Sequence, residues 1–175
     1  MSDWRRMVQA RDALSVTPLS EAKHHIVVYG LKDATLEQLT QDGFRPAVVL
    51  EVEPGRYQAV LTVQKQGGPH DKKVGTQLSK VLNAHYGDRA LMEPHLSHLV
   101  PGPQNHSSAH QMNDRDAHTV QVRLAERQFC GHALKLSRLI SGGFEQQSAD
   151  WQAPQQAWDL VQRGAISPAI GPYWR

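Results

Sequence analysis

The sequence predicts an α+β domain in which a mixed, largely antiparallel sheet is covered by helices. Two observations support this prediction. Runs of β-branched and apolar residues alternate with runs of helical periodicity, in the order β-α-β-β-α-loop-β-α. Turn-forming residues at positions 53–56 separate two of the strand-like runs without room for a helix between them.

The stretch from residue 24 to residue 58 has the clearest pattern in the chain. A β-branched apolar run at residues 24–29 predicts the first strand. Leu36 and Leu39 give the following helix an inner face, and Gly43 can end that helix in the left-handed conformation. If the chain has an active centre, we expect it on the sheet face built by these strands.

The remaining elements follow from the same signals. β-rich runs at residues 47–52 and 58–63 predict two strands, and the alternating run at 119–124 predicts a half-buried last strand. Apolar residues at helical spacing predict a helix over 71–86, with an acid at its N-terminus to favour the helix dipole. A final helix is expected to end at the glycine pair 142–143. Its inner face consists of Ala133, Leu136, Leu139 and Ile140.

Composition limits the class of protein. At 175 residues and 39% hydrophobic content, the chain can bury a core of its own, which predicts one domain over residues 23–143. Residues 1–22 are interpreted as an N-terminal extension and residues 144–175 as a Trp- and Gln-rich tail. The single cysteine, Cys130, fits a reducing cytosol and is expected to be a buried small hydrophobe. With no long apolar run and no signal-peptide core, we expect a cytoplasmic protein without membrane contact.

Three strings in this sequence stand out: E-x-x-P-x-x-Y-Q (Glu51, Pro54, Tyr57, Gln58), the helix end Tyr86-Gly87-Asp88 and the pair Pro94-His95. With them, residues 23–141 resemble the RepB-like primase domain, a member of the archaeo-eukaryotic primase superfamily. The resemblance implies a protein of plasmid replication or mobilisation, because that domain occurs in such proteins, often beside or fused to a relaxase.

The resemblance implies phosphoryl transfer with two divalent metals held by carboxylates. In the family, an Asp-Asp pair ends the first strand, just before the leucine matched by Leu31. Tyr29 and Gly30 occupy those two positions here, and neither can supply an anionic ligand for magnesium. Asp88 matches an acidic position of the catalytic set, and His95 matches a nucleotide-contacting histidine. We therefore expect no resident cofactor, and Mg²⁺ or Mn²⁺ only if the chain is active.

Five residues are candidates for contact with nucleic acid or nucleotide. Arg56 could reach a phosphate and Tyr57 could stack on a base, with Gln58 beside them on the strand. The alternative for Tyr57 is a tyrosine at a strand start that packs against its cross-strand neighbour. Asn105 and His110 are carried over from the resemblance.

Two metal sites are conceivable. Glu51 and Glu53 lie two apart on a strand and could join Asp88 in a rearranged site. The alternative is a solvated strand end beside the turn. A histidine-rich loop could bind zinc or nickel, and the alternative is a plain polar loop. Its histidines are His95, His98, His106 and His110.

Three functions remain open from the sequence. The first is a binding module for plasmid replication, mobilisation or conjugation that contacts single-stranded DNA, or a relaxase or other plasmid-transfer protein, without competent metal ligands. The second is an active primase or nucleotidyltransferase with a rearranged site that uses Glu51, Asp88 and His95. The third is a non-catalytic interaction protein whose fold presents the Trp-rich tail to a partner.

Overall fold

A computed structural model describes the part of the chain that forms the predicted domain. The described residues are 15–16, 18–88, 98–99, 104–105 and 118–146. The sequence predictions for His95, His110 and the Trp-rich tail lie outside them. Within this part of the chain, no helix has the length and apolar character needed to cross a bilayer.

The fold is α+β, as the sequence predicted. In chain order, the elements are β1 (Ser15–Val16), β2 (Lys23–Leu31), α1 (Asp33–Gln41), β3 (Val48–Glu53), β4 (Arg56–Gln64), α2 (Asp71–His85), β5 (His98–Leu99), β6 (Gln104–Asn105), β7 (His118–Thr119), β8 (Gln121–Ala125) and α3 (Gly131–Gln146). The central sheet has four strands in the order β2-β4-β3-β8, and each neighbouring pair is antiparallel. The short strands pair as β1 with β5 and β6 with β7.

The hairpin of β3 and β4 is the centre of the sheet. The turn at residues 53–56 folds β4 back on β3, so that Val49 faces Ala59 and Glu51 faces Tyr57. β4 then pairs with β2 along its other edge. The first half of the chain therefore builds three of the four strands through local connections.

The main core lies between one face of the sheet and the three helices. Leu39 of α1 is fully buried there, and Leu36 packs partly against the same cluster. Gly43 follows α1 with a φ of 88°, which confirms the predicted left-handed helix end. Burying a leucine of this kind contributes about 1.5–3 kcal/mol. The fully buried members from α2 and α3 are Val74, Leu78, Leu82, Ala133, Leu136 and Ile140.

The predicted end of the final helix was wrong. α3 continues through Gly142 and Gly143 to Gln146. Neither glycine adopts a positive φ, so neither provides the left-handed turn that ends a helix. Phe144 instead packs against the main core, while Leu139, expected on the inner face, is 37% exposed. The packing of Phe144 gives the helix an additional turn that glycine content did not predict.

The last strand is also less regular than the alternating pattern indicated. The expected strand at 119–124 is divided into β7 and β8 around Val120, which is buried. Val122 on β8 is 48% exposed. The register with β3 shifts between Val49 and Leu50, so the alternation of faces is interrupted. β8 is therefore an edge strand with a bulge rather than a half-buried ladder.

Candidate functional site

The end of β2 carries Tyr29 and Gly30, the two residues that the family resemblance matches to a carboxylate pair. The pairing of β2 with β4 shifts between Val28 and Leu31, so Tyr29 and Gly30 form an irregular end of the strand. Gly30 has a φ of 65°, a conformation that side-chain-bearing residues rarely adopt. A Cβ at Gly30 would lie only 3.0 Å from the Cβ of Asp88. Any side chain at position 30 would therefore be both strained and crowded.

Tyr29 is a buried residue in an apolar environment. It is 5% exposed and forms a small cluster with Val27 and Val60, against which Val48 packs. Burial raises the pKa of the Tyr29 hydroxyl, so this side chain stays neutral at physiological pH. A neutral ring thus occupies the position at which the family resemblance implies an anionic oxygen.

The end of α2 is clamped to the outer edge of β2. The N–H of Tyr29 donates to Oδ1 of Asn83 over 3.0 Å, and Nδ2 of Asn83 donates to the carbonyl oxygen of Val27 over 2.8 Å. The N–H of Asp88 donates to the carbonyl oxygen of Tyr29 over 2.9 Å. A Cβ at Gly87 would lie 2.6 Å from that same oxygen, so only glycine allows this approach. The clamp brings Asp88, an expected site residue, next to Tyr29.

Glu51 contradicts one of its two sequence interpretations, the solvated strand end, and leaves the metal site untested. It is 6% exposed, so the solvated strand end is wrong. Its Oε1 accepts the N–H of Gly55 over 3.2 Å. Its Oε2 accepts Nε of Arg123 over 2.6 Å and also Nη2 of the same guanidinium. Both carboxylate oxygens therefore already accept hydrogen bonds from protein donors, and a metal ion would have to compete with Arg123.

A two-metal centre does not fit the residues at the end of β2. Tyr29 is neutral and buried, Gly30 has no side chain, and Asp88 contributes a single carboxylate beside them. Over residues 18–88 and 118–146, together with β1, β5 and β6, no group of three His, Cys, Asp or Glu side chains could hold a metal ion. The rearranged site with Glu51, Asp88 and His95 stays a prediction, since His95 lies outside the described residues.

The predicted nucleic-acid contacts around the turn have different environments. The side chain of Arg56 is 59% exposed, with Nε 3.9 Å from Oε2 of Glu53, a contact of little strength at this exposure. The Tyr57 ring packs partly against the core, and its hydroxyl donates to Oδ1 of Asp33 over 2.7 Å. That hydrogen bond is the largest cause that raises the pKa of Tyr57. These contacts favour the packing interpretation for Tyr57, while Gln58 is partly buried beside it.

The other predicted contacts are less defined. Asn105 lies on β6, opposite His118 of β7. His110 and the histidines His95 and His106 lie outside the described residues, so their roles stay predictions.

Two important residues were not identified from the sequence. Asn83 is fully buried within α2, and its position among apolar helix residues was the available signal, because a buried amide needs partners. Arg123 had no comparable signal. Its contact with Glu51 depends on a bulge and on a separation of 72 residues, and a strand pattern shows neither.

Comparison with known proteins shows to which family this chain is similar. The family model described as the RepB DNA-primase N-terminal domain matches residues 1–147. A DNA primase of Acidithiobacillus ferrooxidans is 42% identical over 147 residues, which cover 84% of this chain and 42% of the relative. The chain therefore spans about two fifths of the length of that primase.

Two solved structures share the fold. The crystal structure of primase RepB′ matches 95% of this chain and 54% of its own, with a TM-score of 0.69 and 19% identity. The catalytic domain of primase RepB′ in complex with initiator DNA matches 95% of this chain and 76% of its own, with a TM-score of 0.63 and 18% identity. With a family model that matches most of its length and a 42% identical primase relative, the chain belongs to the RepB DNA-primase N-terminal domain family.

Proposed function

We propose that this chain is a DNA-contacting module with the primase fold that acts in plasmid or mobile-element replication or mobilisation and does not polymerise nucleotides. The family and the name of the 42% identical relative support work on DNA. The RepB′ catalytic domain was solved with initiator DNA, which supports DNA as the ligand class here, and we propose the single-stranded form. Such work is done in the cytoplasm.

The observation that carries the proposal is the end of β2. Polymerisation by this fold needs carboxylates that hold two metal ions at the reacting phosphate and the 3′-hydroxyl. Tyr29 is buried and neutral, and Gly30 is packed against Asp88. The clamp through Asn83 still holds Asp88 at this point, so the scaffold is retained while the ligand pair is missing.

A primer-synthesis assay on single-stranded template tests the loss of polymerisation. With Mg²⁺ or Mn²⁺ and labelled nucleotides, we expect no product from this chain, while the A. ferrooxidans primase serves as the positive control. Robust dinucleotide synthesis would overturn the proposal. An Asp88→Asn variant identifies the source of any product, because an activity that depends on a rearranged site would be lost with that carboxylate.

Binding of labelled single-stranded DNA tests the retained function. We expect affinity to fall as the salt concentration rises, because cations such as Arg56 would release counterions from phosphates. Binding that is absent at low salt would contradict the DNA-contacting role.

A relaxase is proposed as a second partner, and co-purification from a strain that carries both proteins would test it.

A further inference from the structure

Glu51 holds two arginine-bearing segments at one end of the sheet. Its Oε1 binds the N–H of Gly55 in the turn that carries Arg56, and its Oε2 binds the guanidinium of Arg123 on β8. Glu51 also pairs with Tyr57 across the β3–β4 hairpin, so the carboxylate belongs to the same end of the sheet as the turn. A single buried carboxylate thus fixes where the turn and Arg123 stand relative to each other.

The bulge in β8 is what places Arg123 there. Val49 pairs with Leu124 and Leu50 pairs with Val122, so Arg123 is the extra residue with no partner on β3. A bulge of this kind commonly redirects a side chain. In this strand, it directs Arg123 to the carboxylate of Glu51.

The guanidinium of Arg123 is only partly used by this contact. Its side chain is 52% exposed, whereas the side chain of Glu51 is 8% exposed. The contact uses Nε and Nη2, and a guanidinium has N–H donors beyond these. A fixed, half-exposed guanidinium with remaining donors is well suited to a phosphate group.

We propose that Arg123 contacts the phosphate backbone of single-stranded DNA and that Glu51 is its positioning residue. The inference rests on the DNA contact proposed above and adds to it the residues that make the contact. Glu51 is too buried to touch DNA, so it acts through Arg123. The ligand class is the phosphodiester backbone, because a guanidinium recognises phosphate without reading a base.

The role of Glu51 can be tested by asking whether one substitution strengthens or weakens DNA binding. Glu51→Gln removes a negative charge, so electrostatics alone would strengthen DNA binding. If Glu51 positions Arg123, the same substitution weakens binding to labelled oligothymidylate. Glu53→Gln is the matched control: it removes a negative charge from the same strand, without contact to Arg123, and should strengthen binding. Stronger binding by both variants would overturn the positioning role.

The role of Arg123 is tested by the salt dependence of binding. Loss of one phosphate contact lowers the slope of log K against log salt by about 0.7 for single strands. We expect that change for Arg123→Gln and no change for Arg138→Gln, which removes an exposed arginine on α3. An unchanged slope for Arg123→Gln, or equal losses for both variants, would overturn the inference.

A double variant keeps the test informative if Arg123→Gln alone fails to fold. Arg123→Gln alone leaves the buried Glu51 carboxylate without its cation, which can destabilise the fold. The double variant Glu51→Gln/Arg123→Gln removes both charges together and should show the same loss of about 0.7 in slope. A wild-type slope in the double variant would contradict the phosphate contact. If the unaltered chain fails to bind DNA, the proposed function itself fails, which is a separate result.

Discussion

The amide of Asn83 replaces a neighbouring strand at the outer edge of β2. It accepts from the N–H of Tyr29 and donates to the carbonyl of Val27, so it satisfies one donor and one acceptor that an edge strand leaves open. Asn83 is fully buried, and its Nδ2 also donates to the carbonyl oxygen of Ser79 over 3.0 Å, so the amide is held by both α2 and β2. The position of Asp88 beside Gly30 therefore depends on Asn83, which acts here only as a hydrogen-bond donor and acceptor.

Replacement of Asn83 by alanine is expected to destabilise the protein by about 2–4 kcal/mol, because each buried group left without a partner costs about 1–3 kcal/mol. Urea unfolding followed by circular dichroism measures the change in the free energy of unfolding. Lys73→Ala, on the exposed side of the same helix, is the control and should change it by less than about 0.5 kcal/mol. A similarly small change for Asn83→Ala would contradict the clamp.

Glu51 shows where prediction from single residues stops. The sequence offered a metal ligand or a solvated strand end, and the structure has a buried carboxylate paired with Arg123. The choice between these outcomes depends on burial and on a partner far along the chain. Neither can be determined from a strand pattern, whereas the uncharged residues at positions 29 and 30 are visible in the sequence itself.

The elements with a complete local signal were predicted well. α2 has unbroken apolar spacing, and its observed bounds, Asp71–His85, differ by one residue from the expected helix. The hairpin of β3 and β4 followed from its Pro-Gly turn. The glycine pair at 142–143 predicts a helix end, but α3 continues because neither glycine adopts the left-handed conformation that ends a helix. The two-residue strands β5, β6 and β7 are too short to give any pattern.

Replacing two different helix glycines by alanine is expected to change the stability of the protein in opposite directions. Alanine in place of a helix glycine normally stabilises by about 0.5–1 kcal/mol. Gly142 in α3 has no atom within 4 Å of an added Cβ, so Gly142→Ala should raise stability. An added Cβ at Gly75 in α2 would lie 2.7 Å from Nδ1 of the buried His24, so Gly75→Ala should lower it.

The denaturant midpoints of the two alanine variants measure this difference. The two substitutions are chemically identical, so helix propensity alone predicts equal shifts. Equal stabilisation by both would mean that the His24 ring moves aside without cost, and the close packing of β2 under α2 would then carry no energetic weight.

At the scale of the whole molecule, the chain matches the model of an N-terminal primase domain and covers 42% of the A. ferrooxidans primase. The division proposed at residue 143 falls inside α3, and the family match continues to residue 147. The α+β class and the sheet were predictable because local patterns agreed with each other. The arrangement of polar contacts between distant strands was not.

Acid is expected to destabilise the whole fold through His24. Burial and then the charge of Lys65 lower the pKa of His24, Asp71 acts in the opposite direction, and His25 adds to the lowering. The folded state thus binds fewer protons than the unfolded state, in which the pKa is about 6.5. Stability from this group is fully present above that value and is lost as the pH falls below it, until His24 is also protonated in the folded state.

Melting temperatures between pH 8 and pH 5 check this prediction. The unaltered protein should lose more stability over this range than His24→Gln, in which the titrating group is absent. Parallel curves for His24→Gln and the unaltered protein would show that another group causes the acid sensitivity.

The clamp on β2 also has a consequence for the order of folding. Asn83 and Tyr29 are 54 residues apart, so β2, β3 and β4 leave the ribosome before the amide that covers the edge of β2. Contacts of such long sequence separation form late, because the loop between them must first be closed. Until α2 docks, a nascent chain exposes an unpaired strand edge that another chain can join. Docking of α2 is therefore the step that protects newly made protein from misassembly.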